Sequence, residues 1–536
     1  MRRAAGAVWL WPMVLTAALG LTQISGPIMW RDELATWSAA TRSVPQLWRM
    51  VHHIDAVHGT YYLGMHFWIA VFGDSPAAMR VPSVIAMTGA AGLVALTGRK
   101  LGGYTAGITA GLVFALIPGI SRFAQEARPY AFVTFFAALA TLLLLRALDR
   151  PIWRRWVVYA LALAAAGASN VLALCLLSGH AGIVALQYWR PAAGTASGSR
   201  RETVGGFIMA ALAAVVIDSP ILALGHDQAS EQVGTLQRPP LSQITGLGAS
   251  GGVWPELFCS VAVAVAVIVL GVLSLAGTNR RAGVYALACA ILPTLVIWTA
   301  SQGSTAYWFA RYLLFTLPAW AVAVGLAVAT LSPARLARLP GLRRRATEGS
   351  PGKAASALAA AAAVVVVAVI AVIGWPNQQA IRQPEAHNWW SYPNPVGDVP
   401  ADYALAASVI AAHEKPGDGI VYQVSDSNHW MPDNGVEYYL RLNGQPEPRD
   451  VFLAKTPAQA GSLQPAECAD PARCLHGQPR LWIVYVNHLA PAGSNRDPLA
   501  AIAPGQAAVL RARGYAATHR YEADGITVVL MTARAG

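Results

Sequence analysis

Two adjacent acidic residues, Asp32 and Glu33, follow the first long apolar segment directly and are flanked by Trp30 and Trp37. Charged groups beside a membrane-spanning segment are costly and tend to mark function, whereas tryptophan is common at the membrane–water boundary. A carboxylate in this position can act as a general base towards a hydroxyl group or as an oxygen ligand for a divalent cation. An isolated acidic pair is explained equally well by a loop that becomes polar where it leaves the bilayer. The other loops are needed to distinguish the two interpretations.

Charged residues recur beside two later apolar segments. Glu126 and Arg128 follow the third segment, and Arg311 lies just inside a later one, between Tyr307 and Tyr312. The planar guanidinium of arginine suits a phosphate at headgroup depth. The alternatives are an ordinary ion pair at a helix start for Glu126 and Arg128, and pairing with Glu126 or with lipid headgroups for Arg311.

The composition is that of a polytopic membrane protein. Of the 536 residues, 55% are hydrophobic and 12% are charged. Several apolar stretches exceed the roughly 18–20 residues that a helix needs to cross a bilayer. The pattern predicts about eleven spans, near 7–29, 78–98, 104–120, 129–147, 155–172, 174–189, 204–224, 255–277, 282–300, 310–331 and 355–375.

The distribution of basic residues predicts the orientation of these spans. If the N-terminus with Arg2 and Arg3 is cytoplasmic, the cytoplasmic connections hold 19 basic residues and the opposite connections hold 6. This excess is the positive-inside pattern of multi-pass proteins, so the net charge of +12 does not indicate a nucleic-acid partner. We therefore expect a plasma-membrane protein with a cytoplasmic N-terminus and with Asp32, Glu126 and Arg311 on the outer side.

The outer side also holds the parts that do not span. The apolar segment 61–72 is too short to cross easily, so we expect a surface helix within a long external loop, 30–77. Residues 376–536 contain no further spanning segment, and short strands at 419–422, 481–486 and 526–530 alternate with helical segments. We therefore predict a transmembrane catalytic domain, 1–375, and an extracytoplasmic α/β domain, 376–536.

The cysteines fall into two groups. Cys175, Cys259 and Cys289 lie in apolar spans, where a small buried hydrophobe is the usual role. Cys468 and Cys474 lie six positions apart in the outer domain, where an oxidising exterior favours a local disulfide.

The order of these motifs resembles a known family. The Asp32–Glu33 pair, His58-Gly59-Thr60-Tyr61-Tyr62, Gln125-Glu126-Ala127-Arg128-Pro129-Tyr130, and Arg311-Tyr312 followed by Pro318 are similar to glycosyltransferase family 39. That group includes protein O-mannosyltransferases, aminoarabinose transferases and actinobacterial relatives with the C-type glycosyltransferase (GT-C) fold. The resemblance covers residues 1–330. Where many relatives have prolines after the histidine, this chain has Gly59-Thr60.

The resemblance implies a GT-C-like helical domain and an inverting transfer of a sugar, mannose or another pyranose or pentose, from a polyprenyl-phosphate donor to a glycan, lipid or protein acceptor outside the membrane. Asp32 would then be the base, with Glu33 and Glu126 completing an acidic catalytic cleft. A cluster of Arg128, Arg311, Tyr307 and Tyr312 would bind the donor phosphate. No cofactor is required, although a divalent cation (Mg or Mn) at Asp32, Glu33 and Glu126 stays open.

Two other protein classes remain as alternatives. A flippase or transporter of lipid-linked sugar would bury charge near the bilayer midplane and show paired repeats, and Asp218 is the residue that fits it best. A membrane protein that binds cell-wall glycan would explain the outer domain but would give Asp32 and Glu126 no role.

Overall fold

The computed structural model describes residues 7–190, 197–234, 236–246, 252–277, 279–329, 351–384, 401–424, 430–491 and 493–533, with backbone only for 197–199 and 351–356. Arg2, Arg3 and the basic stretch 335–345, which contributed to the predicted orientation, lie outside these residues. The chain divides into two compact units. The first contains the described parts of Met1–Thr22 and Arg80–Ile381, and the second contains those of Gln23–Met79, Arg382–Ser391 and Pro395–Gly536.

The first unit is helical. Its helices are α1 Leu10–Leu21, α5 Pro76–Leu116 (from Arg80 onward), α6 Pro118–Ala124, α7 Tyr130–Asp149, α8 Trp153–Ser169, α9 Leu176–Trp189, α10 Ser197–Val233, α11 Ser242–Thr245, α12 Val253–Phe258, α13 Val261–Leu273, α14 Arg280–Ala300, α15 Leu317–Ala329 and α16 Pro351–Ala380. Short 3₁₀ segments occupy Val171–Cys175, Ser274–Ala276 and Ala310–Thr316.

Seven helical segments of the described residues are long and apolar enough to cross a membrane, and shorter apolar helices cover Leu10–Leu21 and Val261–Ala276. Each predicted span overlaps helical structure among the described residues, although the helix in 7–29 covers only Leu10–Leu21. The predicted spans 78–98 and 104–120 form the two legs of α5, which reverses direction at Gly103, where φ is +83°. Glycine adopts this conformation without the penalty of a Cβ. The legs then pack closely, since a Cβ at Gly107 would lie 2.6 Å from the Ala95 carbonyl oxygen.

The second unit combines the segment after the first span with the C-terminal part of the chain. Its helices are α2 Arg31–Ala40, α3 Val44–His53, α4 Gly59–Phe72, α17 Tyr403–His413, α18 Pro432–Leu442, α19 Pro457–Ala460, α20 Pro471–Cys474 and α21 Pro504–Ala512. The strands are β1 Gly419–Tyr422, β2 Arg449–Asp450, β3 Leu453–Lys455, β4 Ala466–Glu467, β5 Arg480–Val486, β6 Tyr515–Ala523 and β7 Ile526–Ala533.

A five-stranded mixed sheet forms the centre of the C-terminal part, in the order β2-β1-β5-β7-β6. Strand β1 pairs in parallel with β2 and β5, whereas β5–β7 and β6–β7 are antiparallel. Strand β5 is buried over Leu481–Val486, as expected for a central strand with both faces covered. The predicted strands, the predicted helix at 61–72 and the predicted Cys468–Cys474 disulfide are confirmed.

The units differ from the predicted domains in one respect. The external loop 30–77 groups with the C-terminal part rather than with the membrane helices. The packing is specific: the buried Arg42 donates from Nη2 to the carbonyl oxygen of Ser462 at 2.7 Å. Contacts between residues this far apart in sequence leave no periodic pattern in the sequence, so the predicted boundary at residue 375 could not anticipate them. The division into domains 1–375 and 376–536 stays a prediction.

Candidate active site

The predicted site residues divide between the two units. Asp32 and Glu33 belong to the second unit, whereas Glu126, Arg128, Tyr307, Arg311 and Tyr312 belong to the first. The two groups are therefore described separately.

Asp32 and Glu33 occupy the first turn of α2. Both are buried, with 8% of Asp32 and none of Glu33 exposed. Negative charge is favoured at this end of a helix, because the unpaired backbone N–H groups point towards it. Arg31 adds a neighbouring positive charge, with Nε 3.4 Å from Asp32 Oδ1. The helix thus holds two carboxylates in a fixed and largely dehydrated position.

A second polar network lies in the same unit. His58 Nδ1 is 2.6 Å from Asp55 Oδ1, and the Tyr62 hydroxyl donates to Asp55 Oδ2. All three side chains are buried. Asp55 adopts a left-handed backbone conformation with φ +62°, which is uncommon for a residue with a Cβ but which aspartate tolerates better than most. His58 and Tyr62 belong to a motif that carries the family resemblance, whereas Asp55 was not predicted to take part in a site, although its spacing of three and seven residues from them is that of one helical face.

In the first unit, Glu126 follows α6 and pairs with Arg122, one helical turn earlier. Both side chains are buried. The turn that carries Glu126 is held by Ser83, whose hydroxyl donates to the Glu126 carbonyl oxygen at 2.7 Å, and by Gln125, whose Nε2 donates to the Thr22 carbonyl oxygen at 2.7 Å. Arg122 is not among the predicted site residues, although an arginine four residues before an acid is a recognisable helical pair.

Arg311 lies close to two aromatic rings. Its guanidinium carbon is 4.3 Å from the Phe309 ring centroid and 5.6 Å from that of Tyr312. Tyr312 in turn approaches Tyr130, the first residue of α7, with ring centroids 6.3 Å apart. Stacking on aromatic faces fixes a guanidinium plane while leaving its edge for an anion.

Glu256 on α12 is a further acidic residue that the sequence analysis missed. It interacts electrostatically with Arg311. Cys259, just after α12, is near enough to Glu256, Arg122 and Glu126 for their charges to act on it, and its Sγ donates to the Glu256 carbonyl oxygen at 3.4 Å. Helix α12 can bring these groups together because Gly119 on α6 lets the two backbones touch at Leu257. These interactions connect the buried Arg122 and Glu126 with Glu256 and Arg311, both of which are partly exposed.

The remaining predicted residues have less defined surroundings. Arg128 is buried, and its backbone N–H donates to the Glu126 carbonyl oxygen at 2.9 Å. The Tyr307 backbone N–H donates to Ser301 Oγ at 3.0 Å. Within the part of the chain that the structure describes, no group of three or more His, Cys, Asp or Glu side chains is arranged to hold a metal ion. The roles of Arg128 and Tyr307, and the divalent site at Asp32, Glu33 and Glu126, stay predictions.

Both a family model and solved structures match this chain. Residues 61–219 match the family model of dolichyl-phosphate-mannose-protein mannosyltransferase. ArnT from Cupriavidus metallidurans in the apo state is similar in structure, with a TM-score of 0.54 and 13% sequence identity over 98% of both chains. This chain has a GT-C glycosyltransferase fold.

Two further solved structures have the same GT-C fold. They are ArnT bound to undecaprenyl phosphate, with a TM-score of 0.52 and 13% identity over 98% of both chains, and the archaeal oligosaccharyltransferase AglB from Archaeoglobus fulgidus in complex with an inhibitory peptide and a dolichol-phosphate. The AglB match has a TM-score of 0.50 and 12% identity over 97% of this chain and 74% of AglB. No curated protein sequence matches significantly. The GT-C fold and the family-model match support a multi-pass membrane glycosyltransferase.

Proposed function

We propose that this chain transfers one sugar, mannose or another pyranose or pentose, from a polyprenyl-phosphate donor to an acceptor on the extracytoplasmic side of the membrane. The mannosyltransferase family model supports a lipid-phosphate sugar donor. The solved complexes of ArnT with undecaprenyl phosphate and of AglB with a dolichol-phosphate support it too. The observation that carries the proposal is the buried Asp32–Glu33 pair on the first turn of α2.

The chemistry is a single displacement. An acceptor hydroxyl attacks the anomeric carbon, the bond from that carbon to the phosphate oxygen breaks, and polyprenyl phosphate leaves with its electron pair. Asp32 takes the hydroxyl proton as the new glycosidic bond forms. Glu33 orients the acceptor, and Glu126 completes the acidic lining. One displacement inverts the configuration of the anomeric carbon.

The leaving phosphate needs positive charge that is already in position. Arg311 supplies a guanidinium fixed by Phe309 and Tyr312. Arg128 adds a second cation, and the hydroxyls of Tyr307 and Tyr312 donate hydrogen bonds to phosphate oxygens. The acceptor is a glycan, lipid or protein of the cell envelope. This scheme requires no cofactor. Repeating the transfer assay with a chelator, and then with added Mg or Mn, tests for a divalent cation.

The test uses the purified full-length protein in lipid nanodiscs. Polyprenyl-phosphate mannose, glucose and arabinose, each labelled in the sugar, are supplied singly with a cell-envelope extract. We expect one donor to give a labelled acceptor together with free polyprenyl phosphate, and to give the opposite anomer. Absence of transfer from every donor contradicts the proposal. In proteoliposomes, movement of intact lipid-linked sugar without transfer would instead favour a flippase.

A further inference from the structure

The segment that carries Asp32 is held by residues about four hundred positions later in the chain. Both belong to the second unit. Four C-terminal residues make the contacts, and they are called the clamp residues here: Trp430, Tyr438, Tyr439 and Arg441. Three of them lie on α18, and Trp430 precedes that helix.

The first contact is directly beside the proposed base. The Arg31 guanidinium carbon lies 5.1 Å from the centroid of the Trp430 ring, and Arg31 Nε lies 3.4 Å from Asp32 Oδ1. The Trp430 ring is itself held by His488, whose ring centroid is 4.5 Å away in an edge-on arrangement. A cation stacked on a buried aromatic ring is restricted in position. Trp430 thus fixes the cation that neighbours the Asp32 carboxylate.

The second contact fixes the entry into α2. The Met29 backbone N–H donates to the Tyr439 hydroxyl at 2.9 Å. Trp30, the N-cap residue, is extended and provides no side-chain cap for the helix. A hydrogen bond from outside the helix therefore restrains the chain just before the helix that bears Asp32.

The third contact lies further along α2. The Trp37 ring packs edge-on against Tyr438 with centroids 5.3 Å apart, and the Arg441 guanidinium carbon lies 5.2 Å from the Trp37 ring centroid. Asp74 joins the set, since its Oδ2 accepts from Trp37 Nε1 at 2.9 Å and its carbonyl oxygen accepts from the Tyr438 hydroxyl at 2.9 Å. Arg441 also pairs with the Asp74 carboxylate. These contacts hold the middle of α2 against α18.

We propose that the clamp residues of the C-terminal part position the Asp32 carboxylate for the transfer reaction. This inference rests on the proposed function, because it assigns Asp32 a reaction in which its position matters. A catalytic group displaced by about 1 Å can cost on the order of 100-fold in rate, even where substrate binding is unchanged. The C-terminal part then contributes to the transfer reaction by positioning the base.

The experiment compares three variants with a matched control. Tyr439→Phe removes the hydrogen bond to Met29, Trp430→Leu removes the ring beneath Arg31, and Trp430→Phe restores an aromatic face. Tyr515→Phe is the control, since its hydroxyl hydrogen-bonds the Gln478 carbonyl oxygen in the same unit. Steady-state transfer gives kcat and the donor KM. Hydrogen exchange measures the order of α2 in every variant, independently of activity.

We expect kcat to fall by about 10-fold in Tyr439→Phe and in Trp430→Leu, with the donor KM within about twofold of wild type. Trp430→Phe recovers most of the loss, and the control behaves as wild type. Faster exchange in α2 accompanies each loss of kcat. Wild-type kcat and wild-type exchange in both Tyr439→Phe and Trp430→Leu overturn the inference. If the wild-type protein transfers no sugar, the proposed function is wrong. In that case, hydrogen exchange in α2 that is unchanged in Tyr439→Phe and Trp430→Leu also shows that the clamp residues do not hold this helix.

Discussion

Arg122 and Glu126 form a buried ion pair one helical turn apart, with 6% and 1% of their side chains exposed. Removing one partner of such a pair leaves the other charge buried, without an ion partner and out of contact with water. We therefore expect Arg122→Leu to lower the free energy of unfolding by about 3–5 kcal/mol, as measured by thermal and denaturant unfolding in detergent.

The double variant Arg122→Leu/Glu126→Leu separates stability from chemistry at this pair. Replacing both charges with apolar groups removes the dehydration cost. We expect it to recover most of the stability but not the transfer rate, since Glu126 is part of the proposed cleft. Recovery of full transfer would exclude Glu126 from the site.

The second prediction concerns the stacked guanidinium of Arg311. Arg311→Lys keeps the charge but loses the planar fork and the stacking on Phe309. We expect the donor KM to rise by about 10-fold with a smaller change in kcat, because a point charge replaces bidentate binding. Arg281→Lys is the control, since Arg281 is also close to a tyrosine ring, with its guanidinium carbon 5.6 Å from the Tyr285 centroid. Equal effects in the two variants would argue against a phosphate site at Arg311.

The third prediction concerns Asp218, the residue that best supports the alternative of a flippase or transporter. Only 1% of it is exposed, and its carboxylate oxygens have no hydrogen-bond partner among the residues that the structure describes. An unsatisfied buried polar group costs about 1–3 kcal/mol. We expect Asp218→Leu to raise the unfolding temperature and to leave sugar transfer intact.

Asp149→Leu is the control for Asp218. Asp149 pairs with Lys100 and is 56% exposed, so its removal should change stability little. Loss of transfer in Asp218→Leu, with the fold retained, would give Asp218 a function that the glycosyltransferase proposal does not contain.

The fourth prediction is a pH dependence in the C-terminal part. Burial and the neighbouring Asp433 raise the pKa of Asp450 to about 7. Burial, together with Asp450 and Asp433, raises the pKa of Glu467 to about 8. Each of these pKa values exceeds the value of about 4 in the unfolded chain. Between about pH 4 and the raised pKa, the folded state therefore binds more protons than the unfolded state. Stability should therefore fall as the pH rises from about 4 to 8.

Thermal unfolding of the full-length protein between pH 5 and pH 8 measures this dependence. The double variant Asp450→Asn/Glu467→Gln should make the dependence shallower, since these two side chains then no longer titrate, whereas Glu447, whose pKa burial raises to about 8, still does. An undiminished slope in the double variant would show that other groups are responsible.

The sequence predicted a largely helical protein with several membrane-spanning segments, because hydropathy determines which segments can cross a bilayer. The number of spans and their orientation stay predictions. The sequence also predicted the strands around Leu481–Val486 and the disulfide, since these follow from local patterns. It did not predict that α2 packs against α18, because contacts such as Met29–Tyr439 depend on tertiary packing. The Arg122–Glu126 pair could have been predicted from the spacing of four residues between opposite charges. Glu256 could not, because it lies at the start of an apolar segment and has no charged residue at helical spacing to indicate a partner.

The central claim is that Asp32 is the base of a sugar transfer. Single-turnover transfer by wild type and by Asp32→Asn, from the same labelled donor, measures it most directly. Asparagine keeps the size of the side chain but cannot take the proton, so we expect the rate to fall by at least about 100-fold, with donor binding and unfolding temperature unchanged. Equal transfer by the two proteins would contradict the account.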